Sequence, residues 1–308
     1  PSTRLLRPPG RLKAPNYPFH IYAEGEIVRR KGTQQARFLG GSAFFGPNLV
    51  RVTESREIDQ ESQEFTLASN IHLGRIEIDL SHKNRKFESA LANPTYAYAV
   101  DTLGTTIDSS HNVTPELKAT TNTLKMHTSH SGRIFASVTL SEIDKENEYS
   151  GAEAKNTLSY GEIFWLPASY LAFTTKLRHQ ENEASAPATV TGTNWLGGTT
   201  TYIVTPGVES ETDTATLGLR FSLIPKTNLN LKYTKKITKV EEQSSLDWSN
   251  PPKTTKDEYE LGLSNWVIPK VRATAKLIHT RRATELELTS INNEPDQTNQ
   301  FNLGLMWS

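Results

Sequence analysis

The sequence predicts an all-β protein, an antiparallel transmembrane β-barrel of about twelve or more strands. Segments of about 12 to 14 residues alternate apolar and polar side chains, and they are longer than the roughly 5–6 residues of strands in globular sheets. The last segment places Phe301, Leu303, Leu305 and Trp307 at alternate positions, which gives a strand with one apolar face. Within a bilayer, only helices and closed barrels satisfy every backbone hydrogen-bonding group, so amphipathic strands indicate a barrel.

Composition excludes several classes of protein. Hydrophobic residues make up 35% of the 308 residues, and no apolar run approaches the ~20 residues that a membrane helix needs. This is neutral for a barrel, in which only alternate residues face lipid. The chain has 34 basic and 34 acidic residues, which gives no sign of a nucleic-acid partner, and it has no cysteine. Disulfides, thiolate metal sites and Cys-x-x-Cys-His haem attachment are therefore excluded, and we expect no cofactor and no metal in this chain.

Residues 1–18 form a separate N-terminal arm, and residues 19–308 are expected to form the barrel. The arm contains five prolines, four basic residues and no acidic residue. Such a segment favours extended or polyproline conformations and does not nucleate a helix. It is either a flexible tail or a periplasmic arm that docks on a partner or enters the lumen.

Short turns and long polar connections succeed each other along the rest of the chain. Gly or Pro supplies the turn at Gly74, Gly132, Pro167, Pro225 and Pro269. The polar connections lie at about 87–115, 146–151, 182–211, 241–254 and 283–297. Outer-membrane barrels have this asymmetry, with short periplasmic turns and long extracellular loops. Residues 33–62 are left open as a strand, a loop or a plug.

The alternating segments predict which charged side chains line the lumen. In residues 271–277, for example, Val271, Ala273, Ala275 and Leu277 alternate with Arg272, Thr274 and Lys276. A helix would need apolar residues at three-and-four spacing, which these segments lack. The predicted lumen residues are Glu77, Asp79, Arg133, Lys176, Arg178, Arg220, Lys232, Glu260, Arg272 and Lys276. Their basic excess favours anions modestly, although any polar lumen carries charge.

Aromatic residues near the ends of the predicted strands indicate the girdles that barrels place at headgroup level. The predicted girdle residues are Phe164, Trp165, Tyr170, Trp266 and Trp307. Packing within turns is an alternative role for each of them.

An enzymatic function is not predicted. His127 and His130 lie near several serines, and serine catalysis needs a base within hydrogen-bond reach that a third group orients. Neighbouring residues on a strand point to opposite faces, so this motif is read as structural, and an outer-membrane hydrolase remains the alternative from another class. A soluble β-sandwich also alternates, but its strands are shorter and its polar faces carry fewer charges.

The chain from about Phe19 resembles outer-membrane porin-type barrels, on the evidence of its charged alternating strands, its short turns and the terminal FNLGLMWS. The stretches HSGRIFASVTLSEIDKENEYSG and NTLSYGEIFWLPASYLAFTTKLRHQENE resemble the barrels of porin–cytochrome complexes. Those barrels sheath a multihaem cytochrome that carries electrons across the outer membrane, and a wide barrel is needed to do so.

The resemblance implies a protein of the Gram-negative outer membrane, in contact with its lipid. It implies a polar transmembrane conduit, and in its most specific form a sheath for a multihaem c-type cytochrome in the lumen, with no haem bound by this chain itself. A general or anion-favouring diffusion porin is the alternative within the same class.

Overall fold

The computed structural model describes residues 2–307 with gaps at 7–8, 14–17, 41–49, 100–105, 111–113, 129–131, 149, 188, 194–198, 204–206, 223, 242–251, 269 and 286–295. These described residues contain no helix long and apolar enough to cross a membrane. The predicted turn around residue 130 falls partly in one of these gaps.

Eighteen strands account for most of the described chain. Twelve are long, and these are β3 (Phe19–Gly40), β4 (Val50–Leu73), β5 (Ile76–Ser89), β8 (Leu117–Thr128), β9 (Ile134–Asn147), β10 (Ala152–Ala168), β11 (Leu171–Ser185), β14 (Ser210–Phe221), β15 (Thr227–Val240), β16 (Lys253–Ile268), β17 (Val271–Glu285) and β18 (Gln297–Trp307). Six are short, and these are β1 (Ser2–Leu6), β2 (Pro9–Lys13), β6 (Thr95–Ala99), β7 (Thr106–Ser110), β12 (Thr189–Thr193) and β13 (Thr199–Ile203).

The twelve long strands form one antiparallel meander in which each strand pairs with the next long strand in the chain. The small hairpins β6–β7 and β12–β13 lie within two of the predicted long connections. Residues 33–40 complete β3 and residues 50–62 begin β4, so the described part of 33–62 is strand and not plug. The architecture confirms the predicted all-β class, an antiparallel sheet of about twelve long strands.

The turns between β4 and β5, β10 and β11, β14 and β15, and β16 and β17 lie at one end of the sheet, which we call the short-turn end, whereas the short β9–β10 turn lies at the opposite end. Gly74 adopts a φ of 64° between β4 and β5, in the left-handed region that glycine enters without steric cost. Lys226 and Lys270 adopt φ values of 61° and 85° in the turns before β15 and β17. Each of these residues allows two neighbouring long strands to reverse direction within a few residues.

Residues that face each other across neighbouring strands lie on the same face of a sheet, so the register separates two faces. One row on the polar face connects His72, Glu77, His127, Ser137, Glu162, Lys176, Thr216, Thr234, Glu258, Thr280 and Thr298. One row on the apolar face connects Phe19, Ile71, Ile78, Met126, Val138, Gly161, Leu177, Ala215, Lys235, Asp257, Arg281 and Gln297.

The rows run obliquely across the meander. Phe19 begins β3 at the short-turn end, whereas the row that starts from it reaches β18 at Gln297, ten residues from Trp307 at the short-turn end. A climb of this size over twelve strands, at ~3.3 Å per residue and ~4.8 Å per strand, corresponds to a strand tilt of about 30°. The register therefore has the stagger that closing a sheet into a barrel requires.

The apolar side chains are on the surface of this sheet and not in an enclosed core. Among the described residues, the buried hydrophobic side chains are Ile58, Ala68 and Ala172. In contrast, Leu217, Leu263 and Leu305 on the apolar face are 53%, 45% and 81% exposed. Water penalises so much exposed apolar surface, so the apolar face must be covered by something other than this chain.

The two edges of the main sheet differ. On the β3 edge, β1 and β2 pair antiparallel with β3, from Ser2 opposite Lys31 to Lys13 opposite His20. The predicted arm is thus extended, and over the described residues its backbone lies against the first long strand. At the other edge, β18 pairs with β17, and no ladder joins β18 to β3 within the described part of the chain.

Candidate functional site: the charged polar face

The polar face gathers the charged residues that alternation predicts to line a lumen. Glu77, Asp79, Lys176, Arg178, Arg220, Lys232, Glu260, Arg272 and Lys276 all occupy polar-face positions in the register. Arg133 lies just before β9, and its Nη1 donates to the carbonyl oxygen of Pro167 at 3.4 Å beside the β10–β11 turn. Whether these residues line a passage depends on closure of the sheet.

Several of these charges are neutralised by ion pairs along the wall. Lys176 Nζ lies 3.0 Å from Glu162 Oε1, directly across the β10–β11 ladder. Glu260 Oε2 lies 3.1 Å from Lys276 Nζ and 3.6 Å from Lys232 Nζ, so one carboxylate receives two ammonium groups. Ion pairs between half-exposed side chains contribute little to the stability of the fold. Their main effect is to hold each charged group at a fixed position on the polar face.

The balance of acidic and basic groups changes along the polar face. On β3 to β5, the acidic residues at polar-face positions are Glu24, Glu26, Glu54, Glu64, Glu77 and Asp79, and we call this set the acidic wall. The cations at polar-face positions of the same strands are Arg30, Arg56, Lys83 and Arg85. One of their cations, Lys83, is held at 2.6 Å by Glu64. On β14 to β17, the basic residues are Arg220, Lys232, Lys236, Lys256, Arg272, Lys276 and Arg282, and we call this set the basic wall. On those four strands, only Glu258 and Glu260 oppose them in charge at polar-face positions.

Within the acidic wall, three histidines gather at the short-turn end around Glu77. His127 Nε2 lies 3.2 Å from Glu77 Oε2, and His72 Nδ1 lies 3.7 Å from Glu77 Oε1. The rings of His20 and His72 meet edge to face with centroids 5.6 Å apart. Sequence alone did not reveal this group, since its members are far apart in the chain and only the register brings them together.

The register also places Ser137 directly opposite His127, with Glu77 on the other side of the histidine. A serine, a histidine and a carboxylate thus follow one another across three strands, in the order of a hydrolase triad. The histidine contacts the carboxylate through Nε2, but the bond to the serine is not formed, because His127 Nδ1 is buried without a hydrogen-bond partner in the described structure. His130, the other predicted candidate, lies outside the described residues.

The predicted girdle residues divide between the two faces. Trp165 and Trp307 occupy apolar-face positions, opposite Phe173 and Val271. Phe164 and Trp266 occupy polar-face positions, since Phe164 faces Thr174 and Trp266 faces Arg272. Tyr170 lies in the β10–β11 turn, where its ring meets that of Phe221 at 6.1 Å. Position at a strand end groups all five, and the register then separates them by face.

One group of side chains outside the polar face has the composition of a metal site. The ligand atoms of His179, Glu211 and Asp213 lie within 4.8 Å of one another at the apolar-face side of β11 and β14. Glu211 is engaged by Lys239 at 2.9 Å, and His179 Nδ1 by Asp213 at 2.8 Å. These contacts account for the cluster as surface ion pairs, and we assign no ligand to it.

No protein-family model and no curated protein matches this sequence. Among solved structures, the chain is similar to OmpT, an outer membrane protein of Vibrio cholerae, with 9% identity, a TM-score of 0.40 and coverage of 92% of this chain and 99% of that one. It is similar to the outer membrane channel DcaP of Acinetobacter baumannii, with 9% identity, a TM-score of 0.41 and coverage of 96% and 98%. It is also similar to the ferric yersiniabactin uptake receptor FyuA of Yersinia pestis, with 13% identity, a TM-score of 0.42 and coverage of 96% and 55%.

Proposed function

We propose that this chain forms an antiparallel β-barrel in the outer membrane of a Gram-negative bacterium and keeps a polar passage open across it. The observation that carries the proposal is that, towards the short-turn end of the twelve long strands, apolar side chains lie on one face and charged side chains on the other. Lipid covers the exposed apolar face, and the ion-paired polar face lines water. The function is conductive, and no step of chemistry is required of any side chain.

The height of the apolar face supports a bilayer as its cover. In β4 the apolar-face positions run from Phe65 to Leu73. The four hydrophobic side chains among them, Phe65, Leu67, Ile71 and Leu73, are exposed or half-buried. This span corresponds to ~26 Å along the strand, or roughly 23 Å along the membrane normal at a tilt of about 30°. Outer-membrane barrels have an apolar band of about 25 Å, so the band fits one bilayer.

Closure of the barrel follows from strand directions. In a meander of twelve strands, β18 runs antiparallel to β3, and an even-numbered antiparallel barrel can close through these two edges. With both strands level at the short-turn end, Trp307 lies beside Phe19 and Leu303 beside Ala23, which keeps apolar positions on one face. The arm also runs antiparallel to β3, and it therefore occupies the edge that β18 needs. We propose that the arm leaves this edge when the barrel closes.

A sheath around a multihaem cytochrome is the more specific form of the proposal. It rests on the resemblance of residues 130–183 to porin–cytochrome barrels and on the charged inner wall. A diffusion porin is the alternative within the same class. The two differ in content, since a sheath holds a haem protein and a porin holds water and ions.

Engineered disulfides test closure, because the chain has no cysteine of its own. We expect Ala23→Cys with Leu303→Cys to cross-link in refolded, membrane-inserted protein, whereas Ala23→Cys with Phe301→Cys or Leu305→Cys cross-links less, because those positions are shifted along β18. Absence of any β3–β18 cross-link, together with no conductance in planar bilayers, would overturn the proposal. Purification from native membranes in mild detergent followed by haem staining then separates a sheath from a haem-free porin.

A further inference from the structure

The basic wall contains positive charges that form no ion pair within the part of the chain that the structure describes, namely those of Lys236, Arg220 and Arg272. Lys236 on β15 directly faces Lys256 on β16, and Lys256 directly faces Arg282 on β17. Like charges that oppose each other across a ladder destabilise a sheet. Lys256 also contacts Glu258 at 3.2 Å, but in the described structure no carboxylate lies within 4.0 Å of Lys236, Arg220 or Arg272.

Two of these arginines converge on one pair of small polar residues. Arg220 Nη2 donates to Asn228 Oδ1 at 3.3 Å, and Arg272 Nη2 donates to Ser264 Oγ at 3.2 Å. Asn228 and Ser264 face each other directly across the β15–β16 ladder, so the two guanidinium groups approach one point from either side. Ser264 is 5% exposed, and Arg272 Nε is buried without a hydrogen-bond partner among the described residues.

A glycine, Gly262, leaves the surface of the polar face open near these arginines. Gly262 occupies the polar-face position between Asn230 on β15 and Lys276 on β17. It therefore offers no side chain at the centre of the basic wall, and a Cβ there would meet Asn230 Cβ only at 3.7 Å. An incoming group can thus approach the wall closely while Arg220, Arg272, Lys232 and Lys276 surround it.

From these observations we infer an oxyanion-binding site on the basic wall, centred on Arg220 and Arg272 with Asn228 and Ser264 between them. Its ligands are solutes that carry phosphate or carboxylate groups. Guanidinium groups bind such oxygens through paired, charge-assisted hydrogen bonds that neutral Asn and Ser acceptors match only weakly. A bound oxyanion takes the place of those acceptors and neutralises the two guanidinium groups, which have no carboxylate within 4.0 Å in the described structure.

The inference goes beyond the proposed conduit and rests on it only for access to the site from the passage. Binding is therefore measured separately from conduction. Isothermal titration of refolded protein in detergent uses sodium tripolyphosphate as the phosphate probe and citrate as the carboxylate probe, at low ionic strength. Arg220→Gln combined with Arg272→Gln should weaken binding of tripolyphosphate at least tenfold. The control Arg85→Gln removes one positive charge from the acidic-wall side, so it is matched to the single variants Arg220→Gln and Arg272→Gln, and it should leave the affinity within about twofold.

Each outcome decides a separate point. Absence of binding to the wild-type protein overturns the site, even if the protein conducts ions. Equal losses in the double variant and in Arg85→Gln overturn its location, because they would reflect net charge alone. Preference for one probe assigns the ligand as phosphate-bearing or carboxylate-bearing. A protein that binds tripolyphosphate through Arg220 and Arg272 but does not conduct retains the site and refutes the conduit.

Discussion

The rings of Trp165 and Phe173 stack across the β10–β11 ladder, with centroids 5.3 Å apart and an interplanar angle of 24°. Both lie on the apolar face near the short-turn end, which is the position of an interfacial girdle. Trp266 lies at the same end of the sheet but on the polar face, and the two indoles are similarly exposed, at 45% and 38%. This pair of tryptophans separates the two faces experimentally.

We predict that lipids brominated near the headgroup quench the fluorescence of a variant that retains only Trp165, whereas a variant that retains only Trp266 is quenched little. The brominated lipid quenches an indole by direct contact, and lipid contacts only the apolar face, which carries Trp165. Aqueous iodide is the control, and it should quench Trp266 more than Trp165. Equal lipid quenching of the two variants would contradict the assignment of faces.

A second prediction concerns the glycine of the last strand. A Cβ at Gly304 would come 2.7 Å from Thr274 Oγ1, so Gly304→Val should destabilise the β17–β18 pair by about 1–3 kcal/mol. The measurement is the urea midpoint of the folded protein in detergent. Thr274→Ala in the same chain should restore much of the loss, and failure of this rescue would show that the clash is not the cause. Gly25→Ala, where a Cβ meets nothing within 4 Å, is the control.

The pairing of Asp59 predicts a dependence on pH at the far end of β3 and β4, beyond the apolar band. Asp59 is held by Arg29 at 3.1 Å and Lys31 at 2.7 Å, and hydrogen bonds from these two cations lower the pKa of its carboxyl. A lowered pKa in the folded state means that the stabilisation is present above the pKa of the unfolded chain. It is lost as the pH falls through the lowered folded value.

We therefore expect amide hydrogen exchange in residues 31–40 to accelerate as the pH is lowered from about 5 to 2, after correction for the intrinsic pH dependence of exchange. Asp59→Asn should exchange at the faster, acid-like rate at every pH. Glu57→Gln, which also removes one carboxylate from β4, should behave like the wild-type protein. An Asp59→Asn profile that still changes with pH would assign the effect to another group.

The arm gives a fourth prediction. A disulfide between Gly10→Cys and Ala23→Cys should form in the unclosed state, since these residues face each other in the structure. We expect it to block closure, and so to abolish conductance until a reductant is added. The single variants under oxidising conditions are the controls. Full conductance with the disulfide intact would mean that the arm remains on β3 in the working protein.

The hydrolase alternative is tested at the residue pair that the register brings together. We expect Ser137→Ala and His127→Ala to leave the conductance unchanged. We also expect both variants to hydrolyse short-chain esters at the same rate as the wild-type protein. Loss of a measurable activity in both variants, with retention in Ser141→Ala on the same strand, would instead establish a catalytic role. The unpartnered Nδ1 of His127 is the reason for expecting indifference.

Local pattern predicted much of this fold and little of the site. Alternation with a period of two is a property of each strand alone, so the faces of β14 to β18 and the predicted lumen residues on them could be read from sequence. The pairing of Arg220 with Asn228 and of Arg272 with Ser264 depends on register between strands, which no single segment encodes. The same limit concealed Ser137 opposite His127.

The aromatic residues show a second limit. Phe164 and Trp266 were grouped with Trp165 by their position near strand ends, yet they lie on the other face. Phe164 and Trp165 are neighbours in the regular part of the β10–β11 ladder, so alternation alone places them on opposite faces. Position near a strand end therefore locates an aromatic residue along the strand but does not assign its face.

The β3–β4 hairpin continues beyond the rest of the sheet, because β4 pairs with β5 only from Gln60 onwards. Residues 50–59 of β4 therefore extend with β3 alone for ~33 Å. Arg56 Nη2 donates to Thr114 Oγ1 at 2.6 Å, and the ring centroids of Phe38 and Tyr96 lie 5.0 Å apart. The connection that carries β6 and β7 therefore packs against this extension and supports it. With the short-turn end at the periplasm, as in outer-membrane barrels, this extension projects from the outer surface of the cell.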